Sequence, residues 1–190
     1  MAVVTTKSAS IINADASPVV ANTIGEGAEG TLRAANDSVT AVVGDSAGSI
    51  YKLVRIPTNA KVKRVLLTYL TASTAGATDI SVAFSDSLTD GTQAQFSSLA
   101  NPVVQITGPV DNKLFGSATA LTAVLKNSDI TFANTFTTVH QNLPLWQVLV
   151  NLGATQFTTD PGGFFDIVAK ITTALTVTAG LMGLEADFVE

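Results

Sequence analysis

A chain of 190 residues is long enough for one domain with one sizeable core, and its lack of cysteine excludes disulfides and thiolate metal sites. A net charge of −5 speaks against general nucleic-acid binding. Charged residues are only 13% of the chain, about half the usual share, so the surface is expected to be Thr, Ser, Asn, Gln, Ala and Gly, material suited to packing against neighbours.

Residues 1 to 37 are Ala, Ser, Thr, Asn, Gly and Glu with few large side chains. Gly25-Glu26-Gly27-Ala28-Glu29-Gly30 is acidic, and its two glutamates argue against a phosphate loop. Such a stretch buries too little apolar area to fold alone. It reads as an extended arm, loose or laid on a neighbouring subunit. No charged leader with an apolar block opens the chain, so no signal peptide is expected. The weakly polar run from Ile171 to Leu184 is too short and too hydroxylated to cross a bilayer.

From residue 38 onward strands are expected. Ser38–Val43 is short and β-branched. Ile50–Ile56 closes on Pro57-Thr58-Asn59-Ala60, a four-residue turn with Pro and Asn at turn positions. Val62–Thr71 then returns, predicting a hairpin. Val65, Leu67 and Tyr69 share one face and Arg64, Leu66, Thr68 and Leu70 the other, a two-sided apolar pattern that predicts a central strand. Lys52, Arg55, Lys61, Lys63 and Arg64, half of all cations, fall in this window and form a candidate basic patch for an acidic partner surface. The plainer reading is a solvated hairpin edge whose lysines resist aggregation.

In Asp79–Ser85, Ile80, Val82 and Phe84 are predicted inward and Asp79, Ser81 and Ser85 outward. Ser87–Gly91 reads as a turn, Pro102–Thr107 as an edge strand, Thr119–Leu125 as strand or helical turn, and Ile130–Val139 as strand plus loop. Pro144–Leu149 is the one convincing helix, with Leu145 and Leu149 stacked at i, i+4 and Gly153 as its stop. Asp160-Pro161-Gly162-Gly163 is a turn. Phe164–Thr172 and Leu181–Val189 are expected to return on each other. Short strands between turn signals, with almost no helix, predict an all-β fold: a jelly-roll-like two-sheet sandwich over residues 38–190, an extended arm over 1–37 and one short helix.

The chain offers little chemistry. His140, the one histidine, sits in a Thr-, Gln- and Asn-rich loop without metal-ligand company or a nucleophile motif. Asp160 and Asp166 flank the Pro-Gly-Gly turn; a carboxylate pair there would suit glycoside cleavage, but an Asp before Pro-Gly ordinarily bonds its own turn. Asp166 is expected on the outward face of its strand. Asp86, Asp90 and Gly91 lack the full calcium-loop pattern. Trp146 is expected to plug the end of the sandwich. No catalysis, cofactor, metal or small-molecule substrate is expected.

Three segments carry a family resemblance: Ile50–Val62 with its Pro57-Thr58-Asn59-Ala60 turn, Pro144–Leu149 with its Leu-Trp pair, and Asp160–Val168 with its Pro-Gly-Gly start. Together, across residues 38 to 189, they resemble the head decoration, or cement, proteins of tailed bacteriophages. The resemblance implies a jelly-roll-type sandwich, a homotrimer on the capsid exterior, and a clamp on adjacent major capsid subunits after shell expansion. It implies a virion protein made in the host cytoplasm, with the phage major capsid protein as partner and no nucleic acid or membrane partner. The arm is where a capsid- or neighbour-binding extension is expected. A rival reading is a receptor- or glycan-binding head fibre or lectin-like jelly roll, for which Trp146, Tyr51, Asn142 and Gln147 are the candidate platform. A secreted hydrolase or a shell-forming capsid protein are further rivals; the first lacks an acid/base constellation and the second the long helices of the tailed-phage shell fold.

Overall fold

The protein is described by a computed structural model over residues 31–42, 45–85, 102–176 and 179–190. Strands β1 (Leu32–Val42), β2 (Ile50–Pro57), β3 (Lys61–Tyr69) and β4 (Ala77–Phe84) come first. The short strands β5 (Gln105–Ile106) and β6 (Val110–Asp111) follow, then β7 (Gly116–Ala120), β8 (Leu125–Asp129), helix α1 (Leu145–Asn151), β9 (Phe164–Thr173) and β10 (Ala179–Val189). Two four-stranded antiparallel sheets form, in the orders β1-β10-β3-β8 and β2-β9-β4-β7. Successive long strands alternate between sheets, except that β4 and β7 pair directly. This is the eight-stranded jelly-roll connection pattern.

The period-2 alternation that builds each strand also builds the core. Val65, Leu67 and Tyr69 of β3, Ile80, Val82 and Phe84 of β4, Phe165, Ile167 and Ala169 of β9, and Met182, Leu184 and Ala186 of β10 meet between the sheets. β3 lies between β10 and β8, so it is central as its two-sided pattern predicts. Helix α1 starts after Pro144, buries Leu145 and Leu149, and gives way at Gly153, whose φ is +94°. No helix among the described residues is long and apolar enough to cross a membrane.

Several pairings differ from the sequence expectation. β2 and β3 are not a hairpin: β2 pairs with β9, and β3 with β10 and β8. The Pro57–Ala60 turn carries the chain from one sheet to the other. A bulge flanks it on each side, at Leu53 and at Lys63, where the registers skip one residue; bulges add the local bend and twist that let a strand leave its sheet. Likewise β9 and β10 do not return on each other but lie in opposite sheets. β1 begins at Leu32, so residues 32–37, expected in the arm, are strand. Their pairing with β10 runs through the backbone, which needs no large side chains. Residues 1–30 of the expected arm lie outside the described residues, as does the 87–91 turn. Thr119–Leu125 spans the end of β7, a turn and the start of β8, and 130–139 forms turns and holds no strand.

The outward face of β4 is not solvated. Asp79, Ser81 and Ser85 are all buried, and the segment 102–115 runs along the edge of β4 beyond its pairing with β7: Val103 bridges to Ala83, the Phe84 N–H donates to the Pro102 carbonyl, and the Val104 and Phe115 N–H groups donate to the carbonyls of Val82 and Ile80. Val103 packs with Ala83 and Val168 in a small apolar cluster outside the main core. Asn112 anchors this edge segment: its amide donates to the carbonyls of Val82 (2.7 Å) and Val104 (2.9 Å), and its oxygen accepts the Val82 N–H (2.9 Å). Its neighbours pin the flanks, with Asp111 paired to Lys170 and Lys113 to Asp79 at 3.3 Å. Asp79 also accepts the Ala118 N–H at 2.7 Å.

Tyr69 is fully buried and its hydroxyl finds no hydrogen-bond partner among the described residues; burial raises its pKa. The ring is seated against Gly180, where a Cβ would fall 2.7 Å from the hydroxyl oxygen. A buried hydroxyl without a partner costs free energy. Tyr69→Phe is therefore expected to raise stability by about 1 kcal/mol, read as a shift of the urea midpoint. A lowered midpoint would show that the hydroxyl is bonded in solution.

Candidate interaction surfaces

The three segments that carry the family resemblance meet at one end of the sandwich. The first N–H groups of a helix have no partner within it. Here the Pro57–Ala60 turn supplies two: the Ala60 carbonyl accepts the Leu145 N–H (2.9 Å) and the Thr58 carbonyl accepts the Trp146 N–H (3.1 Å). On its other side the Thr58 N–H donates to the Gly163 carbonyl at 3.0 Å. Asp160 accepts the Gly162 N–H at 2.9 Å, the self-bonded turn expected of an Asp before Pro-Gly. Segments more than eighty residues apart are thus one backbone-bonded unit. Trp146 is half-buried against the core, as are Leu143 and Leu152.

The five basic residues fall into two groups on different sheets. Lys52 and Arg55 stand on β2, Lys61, Lys63 and Arg64 on β3. Arg55 lies opposite Asp166 in the β2–β9 register and makes two bonds to its carboxylate, at 2.7 and 3.0 Å. Lys52 approaches the same carboxylate at 3.6 Å and donates to the Phe84 carbonyl at 3.2 Å. Asp166 does face away from the core, as its strand position predicts, but it is buried beneath these two cations instead of solvated. Arg64 lies opposite Asp187 in the β3–β10 register and bonds it at 2.9 and 2.8 Å, with Glu185 at 3.6 Å. Lys63, at the bulge, exchanges bonds with Gln141: its ammonium donates to the Gln141 carbonyl (3.0 Å) and its own carbonyl accepts the Gln141 side chain (2.5 Å). Lys61 is half-buried. The window that is basic in sequence is largely compensated in space, by acids from the far end of the chain.

Two concavities open on this surface. A cleft of about 520 Å³ lies between β1 and β2, walled by Asn36 and Asp37 on one side and by Lys52, Arg55 and Asp166 on the other. A smaller polar groove of about 300 Å³ crosses the outer face of the β1-β10-β3-β8 sheet over Gly183, with Asn36 and Ser38 on one bank and Thr68 and Asn127 on the other. Asn127 holds a left-handed backbone, φ +48°. Thr68 locks it there, accepting its N–H at 3.1 Å and donating to its side-chain oxygen at 2.9 Å.

The remaining candidates have structural surroundings. The His140 ring accepts the Thr137 N–H through Nδ1 at 3.1 Å and lies 5.5 Å from the Phe136 ring; burial lowers its pKa. Tyr51 is half-buried and its hydroxyl donates to Asp45. Asn142 and Gln147 lie in and beyond the short turn His140–Asn142, on the same long connection as Trp146. Asp86, Asp90, Gly91 and the glycine-rich 25–30 segment lie outside the described residues. Among the described residues no group of three or more His, Asp or Glu is placed to hold a metal ion. Sequence reading missed Asn112, Asp79 and the Thr176 hydroxyl, which ties the two loops 73–75 and 174–176 together through Ser73, Thr74 and Ala75. A lone amide or hydroxyl in a loop carries no pattern that reveals such roles.

Comparison with known proteins adds one weak likeness. No protein-family model matches the chain, and no curated protein does. Among solved structures, a chain of the "Cyanophage Pam1 capsid asymmetric unit" aligns over 92% of this chain and 96% of its own length, at 11% identity and a TM-score of 0.40. A superposition that loose, at that identity, argues for neither a shared fold nor a shared function.

Proposed function

We propose that the chain is a structural virion protein that decorates and stabilises a phage capsid, bridging adjacent major capsid subunits as a homotrimer on the capsid exterior. The observation that carries this reading is the meeting of the three family-like segments, 50–62, 144–149 and 160–168, in one bonded unit around the Pro57–Ala60 turn. Segments that resemble a family only in sequence need not touch; here the turn's two carbonyls and one N–H join all three. The low-charge surface and the rigid two-sheet scaffold agree with a role in adhesion through shape. Many copies on a symmetric shell turn modest contacts into firm ones: engaging linked sites together gains roughly 10²–10⁴ over one site. In this reading His140, Asp160 and Asp166 have no catalytic part, and the chain uses no cofactor.

The contact elements proposed are the N-terminal residues 1–30 and the basic side chains, now two groups: Lys52 with Arg55 at the β1–β2 cleft, and Lys61, Lys63 and Arg64 on β3. The truncation that tests the arm stops at residue 30, because residues 32–37 belong to β1. The full chain is expected to bind empty expanded shells and co-sediment with them. The chain lacking residues 1–30 is expected to keep its β-sheet circular dichroism and fail to bind. Failure of the full chain to bind would end the decoration reading; equal binding by the truncated chain would remove the arm as anchor.

A further inference from the structure

The two open sides of the sandwich are built differently. On one side the edge strands β7 and β8 are five residues each. Each is interrupted by a left-handed residue, Ala118 and Asn127, both at φ +48°. Their N–H groups turn aside to Asp79 and Thr68. Short, broken edges resist pairing with another chain.

On the other side β1 is eleven residues long and pairs with β10 without a register shift. It contains no proline and no glycine. From Leu32 to Ser38 every residue but Ala35 is exposed, Leu32 at 63%. A long, regular, exposed edge is the kind of strand that pairs with a neighbour.

Two charges stand on β1, Arg33 and Asp37. A lone charge on an edge guards it against pairing. Two opposite charges four residues apart do the reverse, because they share one face and are complementary to their own antiparallel copy. With a two-fold axis at Ala35, Arg33 comes opposite the partner's Asp37, and Asp37 opposite the partner's Arg33. The same register sets Ala34 against the partner's Asn36 and Leu32 against the partner's Ser38. Centring on Arg33 or Asp37 would instead oppose like charges, which is destabilising. The paired window, 32 to 38, is the exposed one. Among the described residues Arg33 is held only by an exposed contact to Glu190 at 3.2 Å, a kind of pair worth little. Asp37 accepts the N–H of its neighbour Ser38 at 2.7 Å.

We propose that β1 is a self-pairing edge: a second copy of this chain adds antiparallel across a two-fold axis at Ala35, joining two four-stranded sheets into one of eight. The contact is isologous and is made by backbone pairing. It is independent of the decoration reading, and it links two copies whatever cyclic assembly other surfaces form.

The native chain has no cysteine, so single cysteines report the register directly. In the full-length chain, Ala35→Cys is expected to form a disulfide dimer on mild oxidation. Directly opposed residues sit about 4.5–5.5 Å apart at Cα, within disulfide range. Ser38→Cys alone is expected to stay single, its two copies being about 20 Å apart; mixed with Leu32→Cys it is expected to cross-link. A charge test follows the same geometry. Arg33→Asp and Asp37→Arg are each expected to weaken self-association about tenfold in analytical ultracentrifugation, and an equimolar mixture of the two to restore it, which also shows that both variants fold. The proposal is overturned if Ser38→Cys cross-links as readily as Ala35→Cys, or if the mixture associates no better than either variant alone.

Discussion

Replacing Asn112 with alanine is expected to lower the unfolding free energy by about 4 kcal/mol. This side chain stands in for a strand. It meets the N–H and carbonyl of Val82 on β4 and the carbonyl of Val104, all buried. Val82's carbonyl keeps a second donor, the Val104 N–H at 2.9 Å. The Val82 N–H has no such reserve, and an orphaned buried group costs about 1–3 kcal/mol. Loss of the amide is also expected to loosen its neighbours Asp111 and Lys113, and with them their ion pairs to Lys170 and Asp79. Asn112→Asp keeps the shape and the acceptor but, when ionised, offers no donor, so it is expected to lose nearly as much at neutral pH. For a chain this long the change corresponds to a fall of about 10 °C in Tm, seen by calorimetry. A fall below about 2 °C would show that the 102–115 segment is not held to β4 by this residue.

Phe165→Ala is expected to cost about 4 kcal/mol, and Phe164→Ala, one residue away, less than about 1 kcal/mol. Phe165 is wholly buried, with ring centroids 6.0 Å from Phe84 and 5.8 Å from Phe157; those two rings meet edge-on at 5.9 Å. Removing the ring empties the centre of this cluster, and a rigid two-sheet core collapses poorly into such a void. Phe164 is 38% exposed, opposite Pro57. Urea melts of the two variants measure the contrast. Equal losses would mean that β9 does not present alternate faces to core and surface.

The strands were largely legible because alternation is local. Ile80, Val82 and Phe84 announce their inward face in the sequence and are buried; Val65, Leu67 and Tyr69 are set on one shared face by alternation, and only the structure shows that face to be the core side. The turn residues were legible for the same reason: Asp160 bonds its own turn, and Gly153 adopts the positive φ that stops α1. Pairing was not legible. Nothing in Pro57-Thr58-Asn59-Ala60 tells whether the next strand folds back beside β2 or crosses to the facing sheet; the bulges at Leu53 and Lys63 mark the crossing only once the partners are known. β1 was half missed because its first six residues carry almost no apolar signal, and their pairing to β10 uses the main chain.

The candidate basic patch shows the same division at the level of side chains. Lys52, Arg55, Lys61, Lys63 and Arg64 cluster within thirteen positions, so a window of sequence sees only like charge. Their acids arrive more than a hundred residues later: Asp166 and Asp187 stand opposite Arg55 and Arg64 in the ladders, and Glu185, opposite Leu66, reaches Arg64 from two positions along β10. Cross-strand placement, not proximity in the chain, determines which charges meet.

Composition and short-range periodicity sufficed to establish an all-β chain with one short helix and strands whose inward faces can be named residue by residue, because burial in a sheet repeats every two residues. Only the folded chain decided which strands lie side by side, which charges cancel, and that β4 is buried on both faces, with Asn112 bonded along its edge. Those outcomes depend on groups that meet across many tens of residues of chain, and loop closure over such lengths costs so little extra that local sequence sets almost no preference among the alternatives.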